Sequence, residues 1–186
     1  MKIRLSYFAF LFIVLVSCSK KDEKVVTPAE IVEQELQPEP EILKTTFILS
    51  RHAEVLSGSN PNLSVAGLAR ADSLVKELNS YNLDAVYSSD YNRTKQTATP
   101  TATDKSLTVD IYNAFALDNF VDSVLSKHLH KTILVVGHSN TTPDIINILL
   151  DSIQYSNIPE SEYDNLYFVE VIQKGDATVT HIKYGN

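Results

Sequence analysis

Cysteine is all but missing from this sequence: Cys18 is the only one, which excludes an intramolecular disulfide and any cysteine-based zinc cluster. Positive charge is scarce as well. The 16 lysines and arginines are outnumbered by 23 aspartates and glutamates, giving a formal net charge of -7. A long-range field of that sign repels nucleic acid and anionic lipid surfaces, so no nucleic-acid partner is expected. Arginine is scarcer still, confined to Arg4, Arg51, Arg70 and Arg93. Any phosphate-binding site must therefore be assembled locally from very few guanidinium groups. Long apolar runs are also lacking. The stretch from Leu5 to Val16, interrupted only by Ser6, is about a dozen residues, well short of the roughly 20 needed for a membrane-spanning helix.

That short run has a recognisable context. Lys2 and Arg4 precede it and Leu15-Val16-Ser17-Cys18 closes it, the layout of an export signal. The closing tetrapeptide resembles the lipobox of bacterial lipoproteins, where cleavage leaves cysteine first and its thiol carries diacylglycerol. The resemblance implies a signal peptide over residues 1–17, a lipidated Cys18, and a protein exported and lipid-anchored to the bacterial cell envelope, at the outer membrane. An uncleaved apolar anchor, or a signal cut elsewhere, are the plainer alternatives. Residues 18–44 then read as an extended tether, because lysine, glutamate, glutamine and the prolines Pro28, Pro38 and Pro40 leave too little apolar surface to bury. The tract Ser19-Lys20-Lys21-Asp22-Glu23 resembles a sorting signal of some lipoproteins, but a solvated linker explains it better. Residues 45–186 form the expected folded domain.

Within that domain, strand-like runs alternate with amphipathic stretches. Strands are expected at Thr45 to Ser50, Leu83 to Ser88, Leu107 to Tyr112 and Thr132 to Gly137, the last wholly apolar but for Thr132, as in a buried central strand. Helices are expected from Ser64, a plausible N-cap, to about Asn79, from Tyr91 to Asp104, from Asp118 to His130, and from Thr142 to Asp151. Pro100 should kink or shorten the second of these. Asn165 to Gln173 and Ala177 to Lys183, around Lys174-Gly175-Asp176, read as a β-hairpin. The alternation predicts an α/β fold: a three-layer sandwich with a mostly parallel sheet and an antiparallel edge hairpin. Ligands of such sheets sit beyond the carboxyl ends of the strands.

Four segments lie where such a ligand would be. Arg51-His52-Ala53-Glu54 follows the first strand. Asn60-Pro61-Asn62-Leu63-Ser64-Val65-Ala66-Gly67 enters the first helix. Ser88-Ser89-Asp90-Tyr91-Asn92-Arg93-Thr94-Lys95-Gln96-Thr97-Ala98 runs from the second strand into the second helix, and Val135-Val136-Gly137-His138-Ser139 ends the central strand. An Arg-His pair alone is more often a surface loop. The four in order resemble the histidine phosphatase (phosphoglycerate-mutase-like) superfamily over about Thr45 to Leu150. Its pattern is an Arg-His-Gly start, a Pro-x-Leu-Ser/Thr-x-x-Gly helix entry, a Ser-Ser strand end with Arg-x-x-Gln-Thr-Ala, and a late Gly-His.

The resemblance implies a metal-independent phosphomonoester hydrolase with no cofactor, acting through a phosphohistidine on His52. A neutral imidazole is a competent nucleophile, and covalent capture divides one hard displacement into two easier ones. Arg51, Arg93 and His138 would hold the phosphoryl oxygens, arginine because its planar fork meets two oxygens at once. His138 is expected to be protonated there. One branch of the family places an Asp after the second His; here Ser139 stands in that place. The other takes a Glu between the second Arg and second His, often just after the third strand, and Asp118 is the candidate acid on that basis, although an Asp there is also a good N-cap. Glu54 is an alternative that could serve only to order its loop. Ala53 replaces the usual Gly, a mild change unless a positive φ is needed. Few residues are available for a lid, so the partner is either a phosphorylated small molecule of broad type or a phosphoprotein.

Two rival readings remain. Gly137-His138-Ser139-Asn140-Thr141 resembles a nucleophile elbow, with Asp164 and His181 following in the order of a serine esterase using Ser139; Thr141 stands where the elbow wants Gly. A non-catalytic phosphate- or partner-binding lipoprotein of the same fold is the other. His128 and His130 near a helix end, and His181 on an edge strand, have structural explanations.

Overall fold

The structure, a computed structural model, describes residues 43–185. The signal peptide, the lipidated Cys18 and nearly all of the tether lie outside the described residues. Among those described, no helix is long and apolar enough to cross a membrane.

The order is β1 (Thr45–Arg51), α1 (Val65–Glu77), β2 (Ala85–Ser89), α2 (Asn92–Asp104), β3 (Val109–Tyr112), α3 (Leu117–Lys127), β4 (Thr132–Gly137), α4 (Thr141–Leu150), β5 (Asn165–Gln173) and β6 (Asp176–Lys183). These pair into one six-stranded sheet of order β3-β2-β4-β1-β5-β6. The first four are mutually parallel, and the β5–β6 hairpin adds antiparallel to β1. The α/β three-layer expectation is met, including the edge hairpin.

Each face of the sheet is covered for a reason legible in its residues. Ile48, Val86, Leu134 and Val136 point to the side where Leu74 and Leu78, at the end of α1, and Ala98 and Ala102 of α2 pack. Phe47, Leu49, Val135 and Tyr87 point to the other, against Phe120, Val121 and Val124 of α3 and Ile145, Ile146 and Leu149 of α4. Alternation along β1 and β4 thus divides two cores, each built from side chains almost wholly out of water. Truncating one, such as Leu134→Ala, costs about 2–5 kcal/mol.

Local boundaries depart slightly from expectation. The Ser64 side chain caps α1 by accepting from Gly67 N–H at 3.1 Å, as anticipated. α2 runs unbroken through Pro100 to Asp104. Its buried face of Thr97, Ala98, Thr101 and Ala102 keeps it on the sheet despite the missing N–H. β3 starts at Val109, not Leu107. Ser106 turns left-handed (φ 57°) and Leu107 N–H caps the helix at Ala102 O, 2.8 Å, so that residue belongs to the helix stop. Likewise α3 ends at Lys127, before His130 at φ 59°.

Candidate active site

β4 lies between β1 and β2, so the chain leaves β1, passes over β4 and returns. At this switch the strand ends deliver Arg51, Ser89 and Gly137 side by side, with Arg51 in register with Gly137. The residues just past them line a pocket of about 340 Å³: Arg51, His52, Tyr91, Arg93, His138 and Ser139, with Glu160 entering from the far segment. Four of the five sequence-chosen site residues, His52, Arg51, Arg93 and His138, are therefore brought together.

His52 is held for nucleophilic use. Its backbone N–H donates to Gly137 O at 2.9 Å, continuing the sheet one residue past the strand. Its Nδ1 lies 2.8 Å from Ala53 O. A carbonyl only accepts, so Nδ1 carries the proton and Nε2 keeps its lone pair. Burial above all, helped by Arg51, Arg93 and His138, lowers its pKa from 6.5 to about 4, against the opposing bond to Ala53. The ring is neutral at neutral pH.

His138 is fixed by a relay of hydroxyls. Arg93 Nη2 lies 3.3 Å from its Nδ1; a guanidinium only donates, so Nδ1 accepts and Nε2 holds the proton. That proton points to Ser89 Oγ at 2.8 Å, which donates to Thr94 Oγ1 at 3.0 Å, which donates in turn to the carbonyl of Ser89 at 2.8 Å. Burial, Arg93 and Arg51 lower the His138 pKa to about 4. In the ligand-free protein, desolvation first and then the two neighbouring guanidinium groups keep His138 neutral; the protonation expected beside a bound phosphate concerns the liganded state. The buried Ser-Ser of β2 and Thr94 serve this relay.

The remaining motif residues fix the backbone. Thr97 Oγ1 accepts from Ala53 N–H at 3.0 Å, and Gln96 Oε1 from Leu63 N–H at 2.8 Å, tying α2 to the segment after β1. At Gly67 a Cβ would lie 2.0 Å from Glu54 O, so only glycine lets α1 approach that segment. At Gly137 a Cβ would meet Thr141 Oγ1 at 2.7 Å and the Tyr112 hydroxyl at 3.0 Å. Ala53 is buried without a positive φ, which explains why it tolerates a side chain. Glu54 receives three hydrogen bonds from Arg70 at 2.7–2.9 Å. It orders the loop and is not in the pocket.

Arg51, 2% exposed, is gripped by the segment between α4 and β5. Nη1 donates to Pro159 O at 2.9 Å and Glu162 O at 3.1 Å, Nη2 pairs with the Glu160 carboxylate, and the Tyr163 ring lies 4.3 Å from the guanidinium carbon. Arg93 stacks over Tyr91 at 4.5 Å. Two cations thus converge on one pocket in an acidic chain, an arrangement suited to a phosphoryl group.

Asp118 departs from expectation. It sits in the first turn of α3 and lines a neighbouring depression with Phe115, Asp144, Ile153 and Tyr155, while the pocket holding His52 receives Ala114 and Phe115 from that stretch. Asp118 is not among the residues that line the pocket with His52. The carboxylate that does line the pocket, Glu160, carried no signal: it stands in a polar segment without periodicity. The esterase constellation is not assembled. Ser139 Oγ donates to Glu160 at 2.7 Å, His181 Nε2 lies 2.8 Å from Asn165 Oδ1 on β5, and Asp164 pairs with Lys183 at 2.8 Å. His128 is half-buried, its Nε2 2.9 Å from the Tyr87 hydroxyl. Among the described residues no group of three or more His, Cys, Asp or Glu is placed to hold a metal ion.

The family model described as histidine phosphatase superfamily (branch 1) matches residues 47–116. Curated protein sequences returned no match. Among solved structures, the protein histidine phosphatase SixA complexed with tungstate aligns with TM-score 0.60 and 13% identity, over 74% of this chain and 96% of that one. A putative alpha-ribazole-5'-P phosphatase from Escherichia coli aligns with TM-score 0.60 and 18% identity, over 75% and 96%. A phosphoserine phosphatase variant from Entamoeba histolytica in complex with phosphoserine aligns with TM-score 0.56 and 17% identity, over 76% and 97%. At these identities the structural likeness is one of fold. The family model, over residues 47–116, agrees with the resemblance read from the motifs, and the solved structures share the fold.

Proposed function

We propose that this protein is a metal-independent phosphomonoester hydrolase working through a phosphohistidine on His52. The observation that carries this reading is His52 itself: a buried imidazole whose Nδ1 proton is committed to Ala53 O, leaving Nε2 as a neutral nucleophile between two guanidinium groups. The family match, and a fold shared with proteins named as phosphatases, support a phosphatase. In the first step Nε2 bonds to phosphorus and the leaving group departs with its electron pair. Arg51 and Arg93 hold the phosphoryl oxygens as charge redistributes, a contribution worth about 10²–10³ in rate per donor. His138, locked by the Ser89-Thr94 relay, keeps Arg93 in place through Nδ1. Water then attacks phosphorus and frees His52.

The substrate is a phosphorylated small molecule or, favoured by the open pocket with few covering residues, a phosphoprotein; the name protein histidine phosphatase attached to one fold relative supports the latter. Turnover of a panel of phosphomonoesters and a phosphohistidine peptide in chelator tests the proposal. Hydrolysis abolished in His52→Ala is expected; no turnover of any substrate, with vanadate still bound, favours a binding protein. The cellular address belongs to the same proposal: export, cleavage before Cys18 and lipid anchoring in the cell envelope, supported by Leu15-Val16-Ser17-Cys18. Palmitate labelling should disappear in Cys18→Ala, and labelling that persists there contradicts the lipid anchor.

A further inference from the structure

The pocket has a nucleophile and two cations, but the acid expected at Asp118 is elsewhere, which leaves proton transfer unassigned. Among the described residues lining the pocket with His52, Glu160 is the one carboxylate. It is held at both oxygens. Oε1 accepts from Ser139 Oγ at 2.7 Å, and Oε2 pairs with Arg51 Nη2. Its side chain is otherwise open to water, 79% exposed, so it can exchange protons with solvent, which a transfer group must do between turnovers. Its anchor Ser139 directly follows His138 and also lines the pocket, fixing the carboxylate beside the phosphate-binding groups.

We propose that Glu160 is the proton-transfer group of this site, a role that rests on the phosphatase reading above. As His52 Nε2 bonds to phosphorus and the bond from phosphorus to the leaving atom breaks, Glu160 gives its proton to that atom. In the second step water oxygen bonds to phosphorus, the P–Nε2 bond breaks with its electron pair returning to His52, and the water's proton goes to the Glu160 carboxylate. The net change is ester plus water to alcohol plus phosphate, with Glu160 protonated again.

The ion pair with Arg51 supplies the switch. In the free protein Ser139 first, and the charge and hydrogen bond of Arg51, with a smaller effect from His52, hold the Glu160 carboxyl below its ordinary range, against slight desolvation. It is then ionised. A phosphoryl group that takes Arg51 removes that cation from Oε2 and puts an anion beside it, and both changes favour the protonated carboxyl. The groups facing Glu160 are Arg51, Arg93, His52 and the Ser139 hydroxyl, and with both imidazoles neutral the two arginines dominate. Substrate would thereby load the acid that its own cleavage needs.

The test is Glu160→Gln, which keeps the shape and removes the transferable proton, assayed on two substrates. p-Nitrophenyl phosphate leaves as a stable phenolate and needs little acid help; an alkyl phosphate needs it fully. The expected result is a loss of about 10²–10⁴-fold in kcat/KM for the alkyl ester and a much smaller loss for the aryl ester. With the aryl ester, acid-labile phosphoenzyme should accumulate, because the water step still lacks its base, and Glu160→Asp should recover part of the alkyl activity. Equal losses on both esters would reduce Glu160 to a support for Arg51 and overturn the proposal. A gain on both would make it a stand-in for phosphate and overturn it equally. If the unaltered protein turns over neither ester nor any other phosphate, the phosphatase reading itself fails and takes this one with it.

Discussion

The segment that follows β1 and the segment between α4 and β5 both close on Arg51-His52, yet different atoms fix them. The first is locked by side chains of set identity: Thr97 and Gln96 reach its backbone, Glu54 pairs with Arg70, and Gly67 gives α1 room. The second grips Arg51 through two main-chain carbonyls, Pro159 O and Glu162 O, which any residue would supply, together with the Glu160 carboxylate and the Tyr163 ring. A wall built from side chains leaves a motif in the sequence. One built from carbonyls leaves none.

The largest effect on this comparison comes from the residue both walls enclose. His52→Ala should lower kcat by about 10⁴-fold or more, as for other covalent nucleophiles, while the fold persists, because the ring's hydrogen bond is only to Ala53 O; thermal melting should be near unchanged. Arg51→Ala strips the second wall of its donor. It should cost about 10²–10³-fold in kcat/KM and about 1–3 kcal/mol of stability, since two carbonyls lose their partner; denaturant titration checks the second figure. Arg51→Lys should rescue little, because an ammonium cannot serve Pro159, Glu162 and a phosphoryl oxygen in one plane.

Acid should reveal the site's electrostatics next. His52 has a folded pKa of about 4 against an ordinary 6.5, so between those values the unfolded chain binds more protons than the folded one. Stability falls as pH drops from about 6.5 to about 4: the penalty from His52 is absent above the upper value and reaches on the order of 3 kcal/mol below the lower one. His138 acts in the same direction. Proton titration by NMR, and a smaller acid loss in a His52→Asn, His138→Asn double variant, are the expected outcomes. Gly67→Ala, by forcing Glu54 O away from a Cβ, should cost about 1–3 kcal/mol and loosen only the first wall. Smaller effects separate side chain from carbonyl: Glu162→Ala keeps the carbonyl that holds Arg51 and should leave turnover near unchanged, its stability cost coming from the lost bonds to Asn165 and Lys183. Asp118→Asn should leave turnover of both good and poor leaving groups within about twofold, a larger loss returning the acid role to α3.

The same physical distinction governs what was legible. Alternating strands and helices announced the layers because Phe47, Ile48, Leu49 and their neighbours must divide between two cores. Arg51, His52, Arg93 and His138 were found through the motifs that resemble the histidine phosphatase superfamily, and their places at strand ends or in the first turn of a helix bring them together in space. Asp118 was misplaced because its position along the chain mimics an acid after the third strand, while its place in the fold is the first turn of α3, lining a neighbouring depression. The neutral state of ligand-free His138 depends on burial first and then on Arg93 meeting its Nδ1, a contact between residues far apart in sequence. Glu160 reaches the pocket only because Arg51 and Ser139 hold it there, and no periodicity records that.

The central claim is covalent capture by His52. The protein, mixed with a labelled phosphomonoester and quenched in alkali, should carry label that survives base, is lost in acid, maps to the peptide containing His52, and is absent from His52→Ala. Turnover with no such adduct, or label retained in His52→Ala, would contradict the account.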